Sequence, residues 1–453
     1  MIYKDVKINI PNGANYIIST LNKFNYEAYI VGGAVRDSVL GKVPNDYDIT
    51  TNALPEEIER IFNSLKIKTI PTGIKHGTIT VLIEELSYEV TTFRIDGEYR
   101  DNRRPEEVIF TSFLQEDLKR RDFTINAMAY NKDEGLIDYF NGVEDLKKGV
   151  IKAVGEPLKR FSEDALRMMR TVRFSAQLGF SIDKDTEDAI INLSHNIKYV
   201  SIERIREEFN KILLSSNPNA IDKLSEYGLI QYFIPQYKLC ECTLQNNPHH
   251  IYNVAEHIIS SVGNVEQDLP LRLTMFLHDI GKPECKTTDE KGVDHFYCHA
   301  EKSSYIAYNL LKEMKYDNKT IDKVITLIKY HDSFINNTKG IKKLLNKIGE
   351  DNFRDLLKVR KADILAQNPE FIEEKLLSLK VIENKLEVIL KEEQCFKIKD
   401  LKIRGLDLIN IGIEGKNIGI VLKKLLDLVI DDYSINYREK LLELAKKLKN
   451  ELL

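Results

Sequence analysis

Two aspartates stand two residues apart in Asp46-Tyr47-Asp48. On an extended strand, side chains at i and i+2 leave the same face. A carboxylate pair so placed can hold hard divalent cations through oxygen, with substrate phosphates completing the shell. Two ions ~4 Å apart would activate an attacking hydroxyl and stabilise a leaving pyrophosphate. Shortly before the pair comes Val31-Gly32-Gly33-Ala34-Val35-Arg36-Asp37. A strand ending in Gly-Gly at a helix start lets backbone amides approach a triphosphate closely. Arg36 would stand one turn into that helix and add a charge-assisted contact. Glu89, in an alternating strand segment, is a candidate third carboxylate; an exposed strand glutamate explains it equally well.

Cations cluster in two further places. Lys119-Arg120-Arg121-Asp122-Phe123-Thr124-Ile125-Asn126 could grip phosphates, with Asp122 accepting from a ribose hydroxyl. In Glu163-Asp164-Ala165-Leu166-Arg167-Met168-Met169-Arg170-Thr171-Val172-Arg173, positions 164, 167, 170 and 173 share one sector of an expected helix. Asp164 only accepts hydrogen bonds and Arg167 only donates them. Together they favour a base with an amino group beside a ring acceptor, the pattern of cytosine and adenine. A mismatched base would leave a buried charge unpaired, which is costly.

A second group of candidate ligands follows. His250, the pair His278-Asp279 at the end of an apolar helical run, His299, His331 and Asp363 recur through a helical stretch. One histidine on such a helix is more often a satisfied interior residue. The adjacent His-Asp pair with further His and Asp around it points to metal binding, and the mixed donors suit transition metals as well as Mg²⁺.

The elements that must position these residues fall into two styles. Strand signals are confined to the first 145 residues, at 29–31, 78–83 and 88–93, with an amphipathic helix over 54–65. Beyond residue 155 the pattern is helical, including 162–178, 202–213, 271–277, 303–314 and 321–330. Joints are expected near 215–219 and 367–369. The 453 residues allow two to four domains, and 43% hydrophobic with 30% charged residues describes a globular protein. No run approaches the ~20 apolar residues of a membrane span, and the N-terminus lacks a secretory layout. Five cysteines, with no second pair at zinc spacing, suit a reducing compartment. The net charge of −4 excludes little, because a local basic stripe suffices to meet phosphates.

Taken in order, Gly32-Gly33-Ala34-Val35-Arg36-Asp37, Asp46-Tyr47-Asp48, Arg120-Arg121-Asp122-Phe123-Thr124 with Asn126, and Glu163-Asp164-x-x-Arg167 resemble the motifs of class II CCA-adding tRNA nucleotidyltransferases and bacterial poly(A) polymerases. Residues 137–146 resemble that family's segment between head and neck, and 202–209 its neck helix. The resemblance implies an α+β nucleotidyltransferase head over 1–145, with a polymerase-beta-like mixed sheet. It implies an all-α neck and RNA-binding region over 146–245, an HD body over 246–366 and a helical tail over 367–453. It assigns Mg²⁺ to Asp46 and Asp48, and the incoming nucleotide to Gly33, Arg36, Arg121 and Asp122. Base reading falls to Asp164 and Arg167, with Arg170 and Arg173 lining the same pocket. The implied partners are the 3′ end of the tRNA acceptor stem, CTP and ATP, without a template; the cysteine usage and the lack of an apolar span point to the cytoplasm and no membrane. Residues 96–105 match a family loop whose full length accompanies addition of the terminal A. Addition of A alone, to tRNA or as a poly(A) tail, uses the same motifs. A nucleotide phosphohydrolase with a sensor head is the alternative of another class, against which the intact Asp46 and Asp48 speak. The body resembles HD-domain phosphohydrolases. It implies a metal on His250, His278, Asp279 and Asp363, with His299 and His331 as further ligands for Ni²⁺, Mn²⁺ or Mg²⁺.

Overall fold

β-Branched runs in the first 140 residues build one eight-stranded sheet and a separate two-stranded ribbon in the computed structural model, which describes residues 1–97, 108–335 and 337–452. The strands are β1 (Ile2–Tyr3), β2 (Ala28–Val31), β3 (Ile49–Thr51), β4 (Thr69–Gly73), β5 (Thr78–Ile83), β6 (Leu86–Thr92), β7 (Arg94–Asp96), β8 (Val108–Phe110), β9 (Met128–Asn131) and β10 (Gly135–Asp138). The sheet order is β1-β10-β9-β2-β3-β6-β5-β4, and β7 pairs β8 as the ribbon. β3 and β6 run parallel, in register Ile49 with Val90; the other neighbours in the sheet are antiparallel. β2, β9 and β10 are buried throughout, as near-continuous apolar strands should be. The loop matched at 96–105 lies mostly outside the described residues.

The helices of this first part are α1 (Asn12–Lys23), α2 (Gly33–Val39), α3 (Pro55–Ser64), α4 (Leu114–Lys119), α5 (Gly142–Lys148), α6 (Pro157–Glu163), α7 (Leu166–Leu178), α8 (Lys184–Leu193), α9 (Ile202–Leu213) and α10 (Ile221–Glu226). α3 starts where the sequence signals it. Pro55 opens the helix and the Glu57 carboxylate accepts the Leu54 amide at 2.8 Å. The single helix expected over 162–178 is instead two. Asp164 is extended (φ −138°, ψ 103°) between α6 and α7, and its carboxylate accepts the Leu166 amide at 3.1 Å. An aspartate at that point satisfies an orphan amide of the next helix, which competes with helix continuation.

The chain divides into two units, Met1–Pro235 and Gln236–Leu453. The second is helical: α11 (Gln236–Glu241), α12 (Val254–Gly263), α13 (Leu269–Leu277), α14 (Lys282–Cys285), α15 (His299–Glu313), α16 (Asn318–Tyr330), α17 (Thr338–Ile348), α18 (Glu350–Leu365), α19 (Pro369–Lys391), α20 (Gly405–Ile409), α21 (Lys416–Asp431) and α22 (Arg438–Leu452). Residues 236–245, placed with the neck by the sequence reading, pack within this unit. Tyr237 stacks on Phe276 of α13 at 5.4 Å, and Cys240 is fully buried. Toward the end of the chain, Leu425, Val429, Leu441 and Ala445 form a core from α21 and α22. No helix among the described residues is long and apolar enough to cross a membrane.

Candidate active sites

Asp46-Tyr47-Asp48 is an extended segment running straight into β3. Tyr47 is half-buried while both aspartates are exposed, the alternation that places two carboxylates on one face. The Asp48 carbonyl accepts the Val31 amide at 3.0 Å, which ties the segment to the end of β2, where Gly32 begins. Parallel pairing of β3 with β6 sets Asp48 beside Glu89. Desolvation and the Asp46 charge push the Asp48 carboxyl up, Arg121 pulls it back and Glu89 adds to the rise. Three crowded carboxylates are what a divalent cation relieves, so these residues fit one.

Gly32 has φ +72°, and a Cβ there would meet Arg121 Nη1 at 3.0 Å. The positive φ favours glycine, while an added methyl would press only on the tip of the Arg121 side chain. Arg121 is held by Asp117 at 3.5 Å, which also pairs with Arg120 at 2.9 Å and is fully buried. Asp117 was not singled out from sequence; its i, i+3 and i, i+4 spacing to the two arginines was the available signal. From α2, Arg36 pairs with Asp37 at 2.8 Å and donates to Asn126 at 2.8 Å. Asn126 in turn donates to Asp122.

The arginines of α7 dock against this assembly. Arg170 donates twice to Asp122, whose carboxyl lies near 2: burial opposes the shift, and Arg170 outweighs it. With Phe123 and Asn126 on its other oxygen, Asp122 organises the site through protein partners. Arg167 donates to the carbonyls of Arg160 and Arg120 and to Glu163. Arg36, Arg170 and Arg173 converge on the Phe174 ring at 5.2, 5.5 and 3.9 Å. Asp164 does not pair with Arg167. Its carboxylate meets Arg204 of α9 at 2.9 Å, while Arg173 pairs with Glu208 of the same helix at 2.5 Å. Both α9 residues sit in the 202–209 segment noted from sequence, where no individual role had been assigned to them.

In the second unit, Asn253 and Glu256 exchange hydrogen bonds that fix the start of α12 and set His257 in its first turns. α13 ends at His278, α15 begins at His299, and α16 ends at His331. Each of these four histidines holds its Nδ1 against a backbone carbonyl: Ala366 for His257, Met275 for His278, Phe296 for His299 and Ile328 for His331. A carbonyl that takes the Nδ1 proton leaves Nε2 as the donor atom, the usual preparation of a metal-ligating imidazole. All four Nε2 atoms converge on Asp279. Its Oδ2 is 3.3 Å from His257 and 3.2 Å from His278; its Oδ1 is 3.4 Å from His299 and 3.8 Å from His331. Asp363 lies 3.0 Å from His257. Two ligand triads, His257-His278-Asp279 and Asp279-His299-His331, therefore share one carboxylate.

This set differs from the sequence expectation. His257, which the sequence reading did not select, stands where His250 was assigned. His250 packs edge-on against His257 at 5.2 Å, with burial pushing its imidazolium down to about 3. Its place in the capped, apolar α12 was the signal for His257. Burial also carries His331 down to about 3; it opposes the imidazolium of His278 too, but Asp279 and Asp363 raise that one to about 10. Lys282, 2.7 Å from Asp279, adds a positive charge to the same cluster.

A family model described as the poly A polymerase head domain matches residues 28–152. A model described as the probable RNA- and SrmB-binding site of polymerase A matches 179–240, and one for tRNA nucleotidyltransferase domain 2 matches 287–445. The chain is 49% identical over 222 residues to the CCA-adding enzyme of Leuconostoc mesenteroides, covering 49% of this chain and 54% of that one. It is 54% identical over 196 residues to that of Lactobacillus helveticus, covering 43% and 48%. The matches thus span about half the length of these relatives. A Bacillus stearothermophilus CCA-adding enzyme in complex with CTP superposes with a TM-score of 0.69 at 27% identity, over 97% of each chain. A Thermotoga maritima CCA-adding enzyme at 22% identity and a TM-score of 0.60 is alike in fold.

Proposed function

We propose that this chain, whose residues 28–152 match the poly A polymerase head domain model and whose relatives over about half their length are CCA-adding enzymes, adds C, C and A to the 3′ end of tRNA from CTP and ATP, releasing pyrophosphate. The observation that carries the reading is the exposed Asp46–Asp48 pair beside Gly32 and Arg121, with an arginine arm docked on Asp122. Mg²⁺ bound by the two aspartates would supply the Lewis acidity for phosphoryl transfer. Arg36 and Arg121 bind the triphosphate beside the Gly32-Gly33 turn. Asp164 accepts from the amino group of the incoming base, and Arg167 donates to its ring nitrogen. Both edges of C and A satisfy that pair, so selection needs no nucleic-acid template. The test supplies tRNA lacking its last three nucleotides, with CTP alone and then with ATP. Incorporation of two C and one A supports the reading; failure to incorporate C removes it. Growth by A alone would favour A addition instead.

A second reading concerns residues 236–453. The shared carboxylate of Asp279 and the four presented Nε2 atoms favour a pair of divalent ions and hydrolysis of phosphate esters. His257, His278 and Asp363 would hold one ion and His299 with His331 the other. Phosphatase assays on wild type and His278→Ala with added Ni²⁺ or Mn²⁺ test it, and equal background rates would retire it.

A further inference from the structure

The ligand cluster opens into two cavities of the second unit, of about 320 and 310 Å³. His331, Asp332, Asp363 and Gln367 line both, so the cavities meet at the cluster. The larger is walled by Phe296 and Tyr297; Tyr297 is 72% exposed and stacks parallel to His295 at 5.4 Å. The smaller has Ile335, Leu379 and Ile382 on one side and Phe334, 87% exposed, at its rim. Each is large enough to seat one organic group of a small ligand.

Cations distinguish the smaller cavity. Arg360 donates to the carbonyls of Tyr330 and Ser333, and Lys375 donates to the Gln367 side chain. Among the described residues neither has a carboxylate at ion-pair distance, although Asp332 and Asp363 act on both through space and Glu374 acts on Lys375. The buried Arg360 Nε has no acceptor. In the larger cavity, Lys282 is already paired with Asp279 at 2.7 Å. Two cations hydrogen-bonded only to neutral acceptors, one of them with a buried Nε lacking an acceptor, can still contact an anion.

We propose that this site takes a molecule with a planar organic group at each end and a phosphoanhydride chain between them, of the dinucleoside oligophosphate class. The proposal rests on the hydrolytic reading of residues 236–453. One base lies against Tyr297, the other on Phe334; the scissile phosphorus faces Asp279, and a further phosphate meets Arg360 and Lys375. A water oxygen forms the new bond to phosphorus and the anhydride P–O bond breaks. The leaving oxygen departs on the remaining phosphate chain with the electron pair of that bond, and the water protons pass to the products and solvent. A phosphomonoester or a cyclic nucleotide would fill one cavity only.

The full chain loaded with Mn²⁺ is given diadenosine tetraphosphate, ATP or p-nitrophenyl phosphate, as wild type and as Phe334→Ala. Equilibrium dialysis of the two nucleotides against metal-free protein runs alongside. The two-ended compound is expected to exceed ATP in kcat/KM by about tenfold, the scale of one base stacked on an aromatic ring. Phe334→Ala should remove that advantage and weaken dialysed binding by a similar factor. ATP cleaved as well as the two-ended compound, or an advantage that survives Phe334→Ala, overturns the proposal. If wild type cleaves none of the three, the hydrolytic reading falls and dialysis decides alone. Diadenosine tetraphosphate binding that Phe334→Ala leaves unchanged then sinks the two-cavity assignment, since ATP also has a site in the head.

Discussion

Asp46 and Asp48 stand in solvent on an extended segment, whereas Asp279 is 1% exposed with four imidazoles aimed at it. Solvent screens part of the repulsion in the first pair even without a cation, although desolvation still raises Asp48. The second arrangement is different: a buried carboxylate among imidazoles, paired so far with Lys282 at 2.7 Å, gains most from a further cation. A cation at either site is therefore expected to act in different ways. In the first unit it should act on turnover, because the acids cost little when empty and Arg121 already offsets part of their repulsion. In the second it should act on folding stability as well.

The sharpest break of that contrast is Asp48→Asn. Addition of nucleotides to truncated tRNA should fall at least about a thousandfold, the scale of a lost transition-state electrostatic contact. The unfolding midpoint should stay unchanged. An active variant would end the assignment of the first site. Next, calorimetry with and without Mn²⁺ should show stabilisation of residues 236–453 by about 3–4 kcal/mol at 100 to 1,000 times the dissociation constant. His257→Ala should abolish the increment and His250→Ala should leave most of it. The reverse order would restore His250 as the ligand.

A smaller effect concerns base reading. Arg204→Gln frees the Asp164 carboxylate from its ion pair, so preference for CTP over UTP should drop by about tenfold, as for the loss of a charged hydrogen bond. Single-turnover incorporation measures it, and unchanged preference in a folded variant would make the pair purely structural. An effect of similar size in free energy is on acid stability. Asp122 has its carboxyl lowered from 3.8 to about 2, so its contribution is present above pH 3.8 and is lost as pH falls through about 2. That shift is worth roughly 2 kcal/mol. Urea unfolding of wild type and Asp122→Asn should differ by that amount at pH 5 and converge at the acid end.

Much of both sites was legible in the chain. Strands at 29–31, 78–83 and 88–93 became β2, β5 and β6, and the helix at 202–213 became α9. Period-2 and 3.6-residue patterns report which face is buried, and that signal is local. Asp46, Asp48, His278 and Asp279 stood out because each pair is contiguous or nearly so. The failures have a common physical origin. Choosing between His250 and His257 depends on where α12 begins, which Asn253 and Glu256 set by capping. Whether 162–178 is one helix or two depends on Asp164 preferring an amide to another helical turn. Partners such as Asp117 with Arg121, or Arg204 with Asp164, depend on which helix faces which.

What the sequence determined by itself was chemical inventory and short-range geometry: two acids on one strand face, glycines where backbone must come close, histidines at helix ends. Covalent spacing and backbone periodicity dictate these without reference to distant residues. Which oxygen of Asp279 serves which histidine, and which cation occupies Asp164, was decided only by tertiary packing. Apart from the neighbouring His278, those contacts join residues from 20 to 52 positions apart, and their partners are chosen by how buried helix faces fit together.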